Sequence, residues 1–277
     1  MRNKNKSPSE VDNLSSIKKN EIDNSNKREE NGVSATTTTK DPELSDAKTD
    51  ESDNKNNSEK FFTFTFYKVD PKWRWLNEMG KDESSREFLE LLNAARKRMK
   101  IITYSTIGLR HESEFMIWTI SPSLENIQVL ASKIYTTILG KYIEPTSTYL
   151  SLTRKSSYSN QVKLGFETEE EPLQYVVVYP FIKSREWYLL PFEKRKEMME
   201  EHIRVGRKYP EIRLNTTYSF GIDDQDFMLA FETDNLSRFQ NLIIDLRETQ
   251  VSKYIIKDTP MIPCVLKNIE EIIKSLG

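Results

Sequence analysis

The chain has 277 residues, in which 41 Lys and Arg nearly balance 43 Asp and Glu, so the formal net charge of -2 gives no general electrostatic case for a nucleic-acid partner. Its single cysteine, Cys264, excludes an internal disulfide and any zinc or iron–sulfur centre held by several cysteines of one chain. No stretch approaches the ~20 consecutive apolar residues that a membrane-spanning helix requires, so we expect no membrane span and a cytoplasmic protein.

Residues 1–60 form a polar leading segment that contains no Phe, Trp or Tyr and is dense in Asn, Ser, Lys, Asp, Glu and Thr. Such a composition buries too little apolar surface to offset the entropy lost on ordering. The segment also lacks the apolar core of a secretory signal, and its acidic residues are atypical of an organellar transit peptide. We therefore predict a disordered N-terminal tail over residues 1–60.

The alternation of residues in FFTFTFYKV predicts a first strand directly after the tail. Apolar residues spaced by three and four predict a helix after it, and a later helix has Ser121 as its predicted cap and Pro122 as its first residue. The predicted elements are, in order, strand 61–69, helix 83–100, strands 101–109 and 114–120, helix 122–139 and strand 146–153. This βαββαβ order is the ferredoxin-like arrangement, and it assigns residues 61–154 to an N-terminal half.

The same order returns after a polar, acidic stretch, residues 155–172, that we interpret as a linker. The predicted elements of the second half are, in order, strand 173–181, helix 191–205, strands 211–220 and 226–232, a helix from the cap Asp234 to about Leu246, and a strand that begins at Val251. Residues 173–277 are therefore predicted to form a C-terminal ferredoxin-like half.

The two halves also share sequence. The segment 114–130 aligns with 226–242 without gaps, and five of the seventeen aligned positions are identical. Together with the shared order of elements, this similarity indicates duplication of one unit. Two such sheets would pack face to face or close into one barrel. The predicted fold class is therefore α+β, with tandem ferredoxin-like repeats that form a dimeric α/β-barrel-like subunit.

His202 is one of two histidines, and helical spacing places it on the inner face of the helix 191–205 with two methionines. Three interpretations stay open from spacing alone: a satisfied histidine near a helix C-terminus, a general base, or a metal ligand. Zinc and non-haem iron sites need further His, Cys or carboxylate ligands, and His111 lies in a polar turn where we expect it to be solvated. Haem iron needs only one protein ligand, because the porphyrin supplies four.

The block around His202 resembles the chlorite dismutase-like family, and within it the coproheme decarboxylase branch. The likeness extends over residues 61–264. The stretches that carry it are Tyr179-Pro180-Phe181-Ile182-Lys183, Trp187-Tyr188-Leu189-Leu190, Met199-Glu200-Glu201-His202, Gly206-Arg207, Gly221-Ile222-Asp223-Asp224 and the run 246–252. Each piece alone is weak, and their combination is fairly specific.

The resemblance implies a homopentamer of two-half subunits that binds haem or iron coproporphyrin III (coproheme) in the C-terminal half. It implies His202 as the proximal iron ligand and hydrogen peroxide as the oxidant. Two propionates of coproheme would become vinyl groups, which leaves haem b. Tyr179 matches a tyrosine beside the reactive propionate that becomes a radical.

Further residues match positions that hold the propionates in the family: Lys183, Arg247 and Ser252. Lys163 matches, more loosely, an upstream arginine. The alternatives from the residues alone are a strand-end tyrosine with a satisfied hydroxyl at Tyr179 and solvated charges at Lys183 and Arg247. Arg195 is expected to be solvated helix surface, as are Lys194 and Lys196, and Trp187-Tyr188 is expected to serve packing.

The chain departs from the family at the distal position, which carries glutamine in the decarboxylases and arginine in chlorite dismutases. Counting from His202 gives Asn215, whereas counting back from Gly221 gives Leu214, and Arg213 shares the strand face of Asn215. Asn215 is retained as a candidate cofactor-binding residue. Two alternatives to decarboxylation therefore stay open: a chlorite dismutase or peroxidase-like haem enzyme, and a haem-binding or haem-free scaffold without catalysis.

Overall fold

The computed structural model describes residues 59–158, 165 and 170–277. The predicted disordered tail lies outside the described residues except for its last two, and so do ten residues of the predicted linker, 159–164 and 166–169. The division into two halves at residues 154 and 173 stays a prediction. None of the helices in the described ranges is both long enough and apolar enough to cross a membrane.

The described part of the chain forms nine strands and six α-helices. The strands β1 to β9 are Phe61–Val69, Lys100–Ser105, Phe115–Ser121, Ile143–Leu152, Tyr175–Lys183, Arg213–Tyr218, Phe227–Thr233, Ile255–Lys257 and Ile262–Leu266. The helices α1 to α6 are Glu78–Arg96, Leu124–Thr136, Arg185–Leu189, Phe192–Gly206, Leu236–Arg247 and Ile269–Lys274. Short 3-10 helices lie at Pro71–Trp75, Leu139–Lys141 and Gln250–Tyr254.

The strands close into one barrel. Their order is β7-β6-β4-β1-β3-β2-β9-β5, and the barrel closes because β5 also pairs with β7. The short strand β8 pairs with the end of β5, at Ile182 and Lys183. Two short contacts join the halves: Leu152 pairs with Tyr218 between β4 and β6, and Tyr104 pairs with Leu266 between β2 and β9. This topology confirms the predicted α+β fold of tandem ferredoxin-like units that close into a barrel.

Alternate residues of each strand point into the barrel, and those of β1, β3 and β5 form a large apolar cluster there. On β1 the inward residues are Phe62, Phe64 and Phe66, each at most 1% exposed. Phe64 stacks on Trp118 of β3 with ring centroids 5.2 Å apart. Val176 and Val178 of β5 and Ala230 of β7 belong to the same interior cluster.

The helices cover the outside of the barrel. Buried apolar residues of α1, α2 and α6 pack on the outer face of the N-terminal strands. On the C-terminal strands, Phe239 and Leu242 of α5 pack against Val177, Tyr179 and Phe231. Helix α4 contacts α5 and the 3-10 helix Gln250–Tyr254. The outer face of β5 is therefore enclosed by α4, α5 and this 3-10 helix.

Two predicted helix caps are wrong by one or two residues. Ser121 lies in β3, and Ser123 caps α2 by accepting a hydrogen bond from the Asn126 amide at 3.3 Å. Asn235 caps α5, whereas Asp234 accepts a hydrogen bond from the Gln174 amide at 2.8 Å. In both cases a neighbouring residue of the same capping type takes the position that local backbone geometry offers.

The end of the chain also differs from the prediction. Val251 begins no strand, because residues 250–254 form a 3-10 helix, and the strand that completes the barrel is β9 at Ile262–Leu266. Helices α3 and α6 were not predicted from the sequence pattern. Ser184 caps α3, and Asn268 forms a reciprocal capping box with Glu271 at the start of α6.

Candidate functional site

The candidate site lies on the outer face of β5, beneath helix α4. Tyr179 and Lys183 on β5 are buried, at 3% and 8% exposure. His202 projects from the last turns of α4 and is half-buried. The turn that leads from α5 into the 3-10 helix brings Arg247, Thr249 and Ser252 to the same region.

His202 is held by Thr249, whose hydroxyl oxygen lies 3.3 Å from the imidazole Nδ1. The Thr249 hydroxyl donates its own proton to the Leu246 carbonyl at 2.7 Å, so toward His202 it acts as an acceptor. The Nδ1 atom of His202 therefore carries the proton, and the lone pair remains on Nε2. This tautomer is the one that a metal ligand requires, with the second nitrogen fixed by a partner.

Burial keeps the His202 ring neutral. Loss of hydration, together with the nearby Lys183 ammonium, lowers the pKa of His202 to about 4, while Glu201 acts in the opposite direction. At neutral pH the ring is therefore an unprotonated base with a free lone pair on Nε2.

Lys183 is a buried amine that forms no ion pair with an acidic side chain of the described residues, although the Asp226 carboxylate is close enough to raise its pKa. Its Nζ lies 3.7 Å from the Met199 sulfur and 3.7 Å from the centroid of the Trp187 ring. None of the ion pairs between described residues includes Lys183. Burial lowers the pKa of Lys183 to about 7, and the Arg195 guanidinium acts in the same direction. A carboxylate from a ligand would satisfy this cation.

The expectation that Arg195 is solvated surface is wrong. Its Nε is buried and has no hydrogen-bond acceptor among the described residues. Its Nη1 donates to the Tyr158 hydroxyl at 3.2 Å. By contrast, Lys194 and Lys196 are exposed, as expected, and Lys194 forms an ion pair with Glu197.

Tyr179 lies beside a pair of opposite charges. Its ring is nearly parallel to that of Phe231, with centroids 6.0 Å apart. Burial raises the pKa of Tyr179 well above its ordinary value, and the Asp258 carboxylate raises it further while Arg247 lowers it. Arg247 donates from Nη2 to Asp258 at 3.0 Å and remains mostly exposed. The phenol of Tyr179 is therefore neutral throughout the physiological range.

Ser252 does not contact Arg247 through its side chain. Its hydroxyl donates to the Thr249 carbonyl at 2.7 Å, which ties it to the residue that holds His202. Lys163, which the family resemblance suggested as a further cation, lies outside the described residues.

The structure does not bring Asn215 to the outer face of the sheet. Asn215 pairs with Ala230, which belongs to the barrel interior, and its amide donates to Glu232 at 2.9 Å. Arg213 shares that strand face and binds the Glu171 carbonyl at 2.9 Å. Leu214 pairs with Phe231 and packs with the Tyr179 cluster. Of the three candidates for the distal position, Leu214 is the one on the Tyr179 face, because successive residues of a strand alternate between faces.

Sequence reasoning missed two residues that shape the site. From the sequence, Thr249 is only one residue of the run 246–252, and Asp226 is only the first residue of the predicted strand 226–232. The Asp226 carboxylate accepts hydrogen bonds from the Lys183 amide at 2.8 Å and from the Tyr188 hydroxyl at 2.7 Å. No periodicity could have shown these contacts, because they join residues far apart in the chain.

Two surface clefts are lined by residues other than Tyr179, Lys183 and His202. One, of about 490 Å³, is lined by the outer flank of α4 and Gln250, and the other, of about 440 Å³, by the region around Arg213 and Asp234. Within the described ranges, no group of three or more His, Cys, Asp and Glu side chains is arranged to hold a metal ion.

Comparison with known proteins agrees with this architecture. The family model described as chlorite dismutase matches residues 81–267. A coproheme decarboxylase from Mycolicibacterium smegmatis is 32% identical over 226 residues, which cover 80% of this chain and 96% of that protein.

Solved structures show the same fold. Chlorite dismutase from Candidatus Nitrospira defluvii in complex with imidazole has a TM-score of 0.72 at 23% identity, and the match covers 78% of this chain and 94% of that chain. A mutant of the same enzyme in complex with cyanide gives the same values. Because the family model covers more than half of the chain and the identity to the coproheme decarboxylase extends over most of it, this chain belongs to the chlorite dismutase family.

Proposed function

We propose that this protein is a haem-synthesis enzyme that decarboxylates two propionates of iron coproporphyrin III with hydrogen peroxide and releases haem b. One observation carries the proposal. His202 is a neutral imidazole with a free Nε2, and it lies close to Lys183, a buried amine that forms no ion pair with a described carboxylate. The 32% identity to a coproheme decarboxylase supports the choice of reaction within the family.

In this proposal His202 holds the iron through Nε2. Thr249 fixes the ring by accepting the Nδ1 proton, and the low pKa of about 4 keeps Nε2 unprotonated at neutral pH. When bound, the iron porphyrin supplies the redox centre that reacts with peroxide. One histidine is a sufficient protein ligand for such a group, since the porphyrin nitrogens occupy four positions.

Cations hold the propionates in place. Lys183 offers a buried ammonium that gains most from a carboxylate, because no acidic side chain of the described residues pairs with it. Arg247 offers a guanidinium close enough to act on Tyr179, with donors beyond the one that Asp258 uses. A planar guanidinium suits a carboxylate because its donors form a two-pronged contact.

Tyr179 is proposed to relay the oxidation: its phenol first loses an electron and a proton, and the resulting tyrosyl radical then takes an electron and a proton from the propionate arm. Each propionate loses its carboxyl carbon as carbon dioxide, one hydrogen as a proton, and two electrons. One hydrogen peroxide accepts two electrons and two protons and becomes two waters, so two peroxides serve the two propionates. Because the pKa of Tyr179 is raised, its phenol loses an electron and a proton together rather than first becoming a phenolate.

Porphyrin binding at this place requires a rearrangement. In the structure Lys183 of β5 contacts Met199 of α4 and the Trp187 ring, so these side chains lie between α4 and β5. We therefore expect α4 to move away from β5 when iron coproporphyrin III binds. Amide hydrogen exchange with and without the ligand would show this as changed protection of residues 192–206.

The function is tested by titrating the purified protein with iron coproporphyrin III and with haem b, and then adding peroxide while product masses are followed. Loss of two carboxyl groups is the expected result, together with a shifted Soret band on binding. The Tyr179→Phe variant should keep the shift and lose the first decarboxylation by at least ~100-fold, since general proton-transfer groups contribute about that factor or more. Conversion at the wild-type rate in this variant would contradict the assigned role.

Other outcomes identify other functions. Consumption of chlorite with release of oxygen, without decarboxylation, indicates a chlorite dismutase, although Leu214 at the distal face supplies no cation for that reaction. Binding without any turnover, or no binding, indicates a scaffold. Homopentameric assembly stays a prediction from the family resemblance, and light scattering of the purified chain measures it.

A further inference from the structure

Arg195 presents a buried donor that no residue of the described chain satisfies. Its Nε is shielded from solvent and lacks an acceptor among the described residues. A buried polar hydrogen without a partner is destabilising, so a guanidinium in this state favours an acceptor from outside these residues. Among the described residues, Arg195 also forms no ion pair.

Aromatic residues, rather than acids, fix the guanidinium in place. Nη1 of Arg195 donates to the Tyr158 hydroxyl at 3.2 Å, and its central carbon lies 5.7 Å from the Phe192 ring centroid. Tyr158 in turn lies parallel to Phe192 at 5.8 Å and meets Trp187 edge-on at 6.4 Å. This setting holds a cation rigidly without neutralising it.

The second cation, Lys183, contacts the same aromatic group. Its Nζ contacts the ring face of Trp187 at 3.7 Å, and Trp187 meets Tyr158, the partner of Arg195. The Asp226 carboxylate is close enough to act on Lys183, but it already accepts hydrogen bonds from the Lys183 amide and the Tyr188 hydroxyl. Arg195 and Lys183 thus border one aromatic group, and neither forms an ion pair with an acidic side chain of the described residues, so an anion would relieve the repulsion between them.

Arg195 is also aligned with the iron ligand of the proposed function. Arg195 and His202 are seven residues apart on α4, so they lie on one face with an axial separation of roughly 10 Å. The two side chains are therefore placed so that one extended ligand can contact both of them.

We propose that Arg195 and Lys183 form a paired-cation pocket that binds one carboxylate of the porphyrin substrate, with Tyr158 as the positioning residue of Arg195. This inference rests on the proposed function and names a substrate-binding residue in addition to those matched by the family resemblance. The Nε–H of Arg195 donates to one carboxylate oxygen and the Lys183 ammonium to the same group.

The test is a binding measurement on the full chain with iron coproporphyrin III and, separately, with metal-free coproporphyrin III, by quenching of tryptophan fluorescence. Arg195→Gln should weaken binding of both by roughly 10- to 100-fold, the range for a charge-assisted hydrogen bond. Arg195→Lys should recover part of the loss, because it restores charge without the forked geometry. Lys194→Gln is the matched control, since it removes an equal charge from an exposed position on the same helix, and it should leave both affinities unchanged.

A double-mutant cycle separates a shared carboxylate from a structural effect. If Arg195 and Lys183 bind one group, Arg195→Gln should cost less in the Lys183→Met background than in the wild type. Tyr158→Phe should give a smaller loss than Arg195→Gln. Additive losses in the cycle, or an unchanged affinity in Arg195→Gln while the wild type binds with a Soret shift, overturn the pocket. A wild-type chain that binds no iron coproporphyrin III overturns the proposed function itself.

Discussion

The two halves of the barrel share a fold and differ in what their outer faces contain. Tyr67 on β1 pairs with Phe115, and Phe181 on β5 pairs with Phe227, where Phe115 and Phe227 are matching positions of the repeat. The residue two places after Tyr67 is Val69, which is buried among apolar side chains.

The residue two places after Phe181 is Lys183, which is almost as buried as Val69 but carries a charge. Likewise Tyr179 stands where β1 has Thr65. At these matching positions the N-terminal half holds the fold with uncharged side chains, Val69 and Thr65. The buried amine of Lys183 in the other half brings no evident gain in packing, which is typical of residues kept for binding or chemistry.

A second pair of matching positions makes the same point. Thr137 and Thr249 each follow a helix of the repeat, and each hydroxyl donates to the carbonyl three residues earlier at 2.7 Å. In the N-terminal half the oxygen then accepts a hydrogen bond from the Gly140 amide at 2.9 Å. In the C-terminal half it accepts one from His202 instead. One local structure therefore serves a turn in one half and a candidate iron ligand in the other.

The largest expected effect is that of His202→Ala. Without the imidazole Nε2, iron coproporphyrin III should lose its protein ligand, and its affinity should fall by at least ~100-fold, beyond the range typical of loss of a supporting contact. An absorption titration measures this as loss of the Soret shift. His111→Ala removes the other histidine, which is exposed, and should leave the titration unchanged. A normal Soret shift in His202→Ala would assign the iron to another residue.

The contrast between Lys183 and Val69 predicts opposite effects of reciprocal substitutions. Lys183→Met should stabilise the ligand-free protein by roughly 1–2 kcal/mol, because it removes a buried unpaired charge, and it should weaken porphyrin binding by about tenfold or more. Val69→Lys should destabilise the protein by roughly 3 kcal/mol or more, because the new charge would be buried among apolar side chains. Urea unfolding of both variants measures these changes. If Lys183→Met destabilises the ligand-free chain, the cation contributes to folding and not to binding.

The pH dependence of stability sharpens this contrast. The pKa of Lys183 is lowered to about 7 in the folded protein from its ordinary 10.5. Between these values the unfolded chain holds a proton that the folded chain has released, so stability should rise as pH rises through this window. The rise should be smaller in Lys183→Met, measured by urea unfolding at a series of pH values. An identical profile in both proteins would show that Lys183 keeps its ordinary pKa.

The smallest expected effect is that of Thr249→Val. Loss of the acceptor for His202 Nδ1 frees the ring to rotate or change tautomer, which should weaken binding of iron coproporphyrin III by about tenfold. Thr137→Val is the matched control, because it removes the same hydroxyl from the repeat position in the other half. It should affect stability alone. Equal porphyrin affinity in both variants would remove Thr249 from the site.

Much of the fold follows from local sequence patterns. The alternation in β1 and the three-four spacing in α4 reflect burial of one face, and the structure confirms both elements. The sequence did not predict the caps Ser123 and Asn235, because neighbouring residues have an equal propensity to cap a helix. It did not predict strand β9 either, because a short strand that pairs only with distant parts of the chain has no local sequence signal.

The sequence by itself determined the repeated βαββαβ order, the family, and His202, Tyr179, Lys183 and Arg247 as candidates, since periodicity and motif spacing are properties of the linear chain. Only the tertiary structure decided that Leu214 rather than Asn215 lies on the Tyr179 face, because strand register and barrel closure fix which side of a strand points inward. It also decided that Arg195 is partly buried beside Tyr158 and that Thr249 fixes the tautomer of His202. Those contacts join residues 37 and 47 positions apart, and such distances are bridged only when the helices pack on the closed sheet.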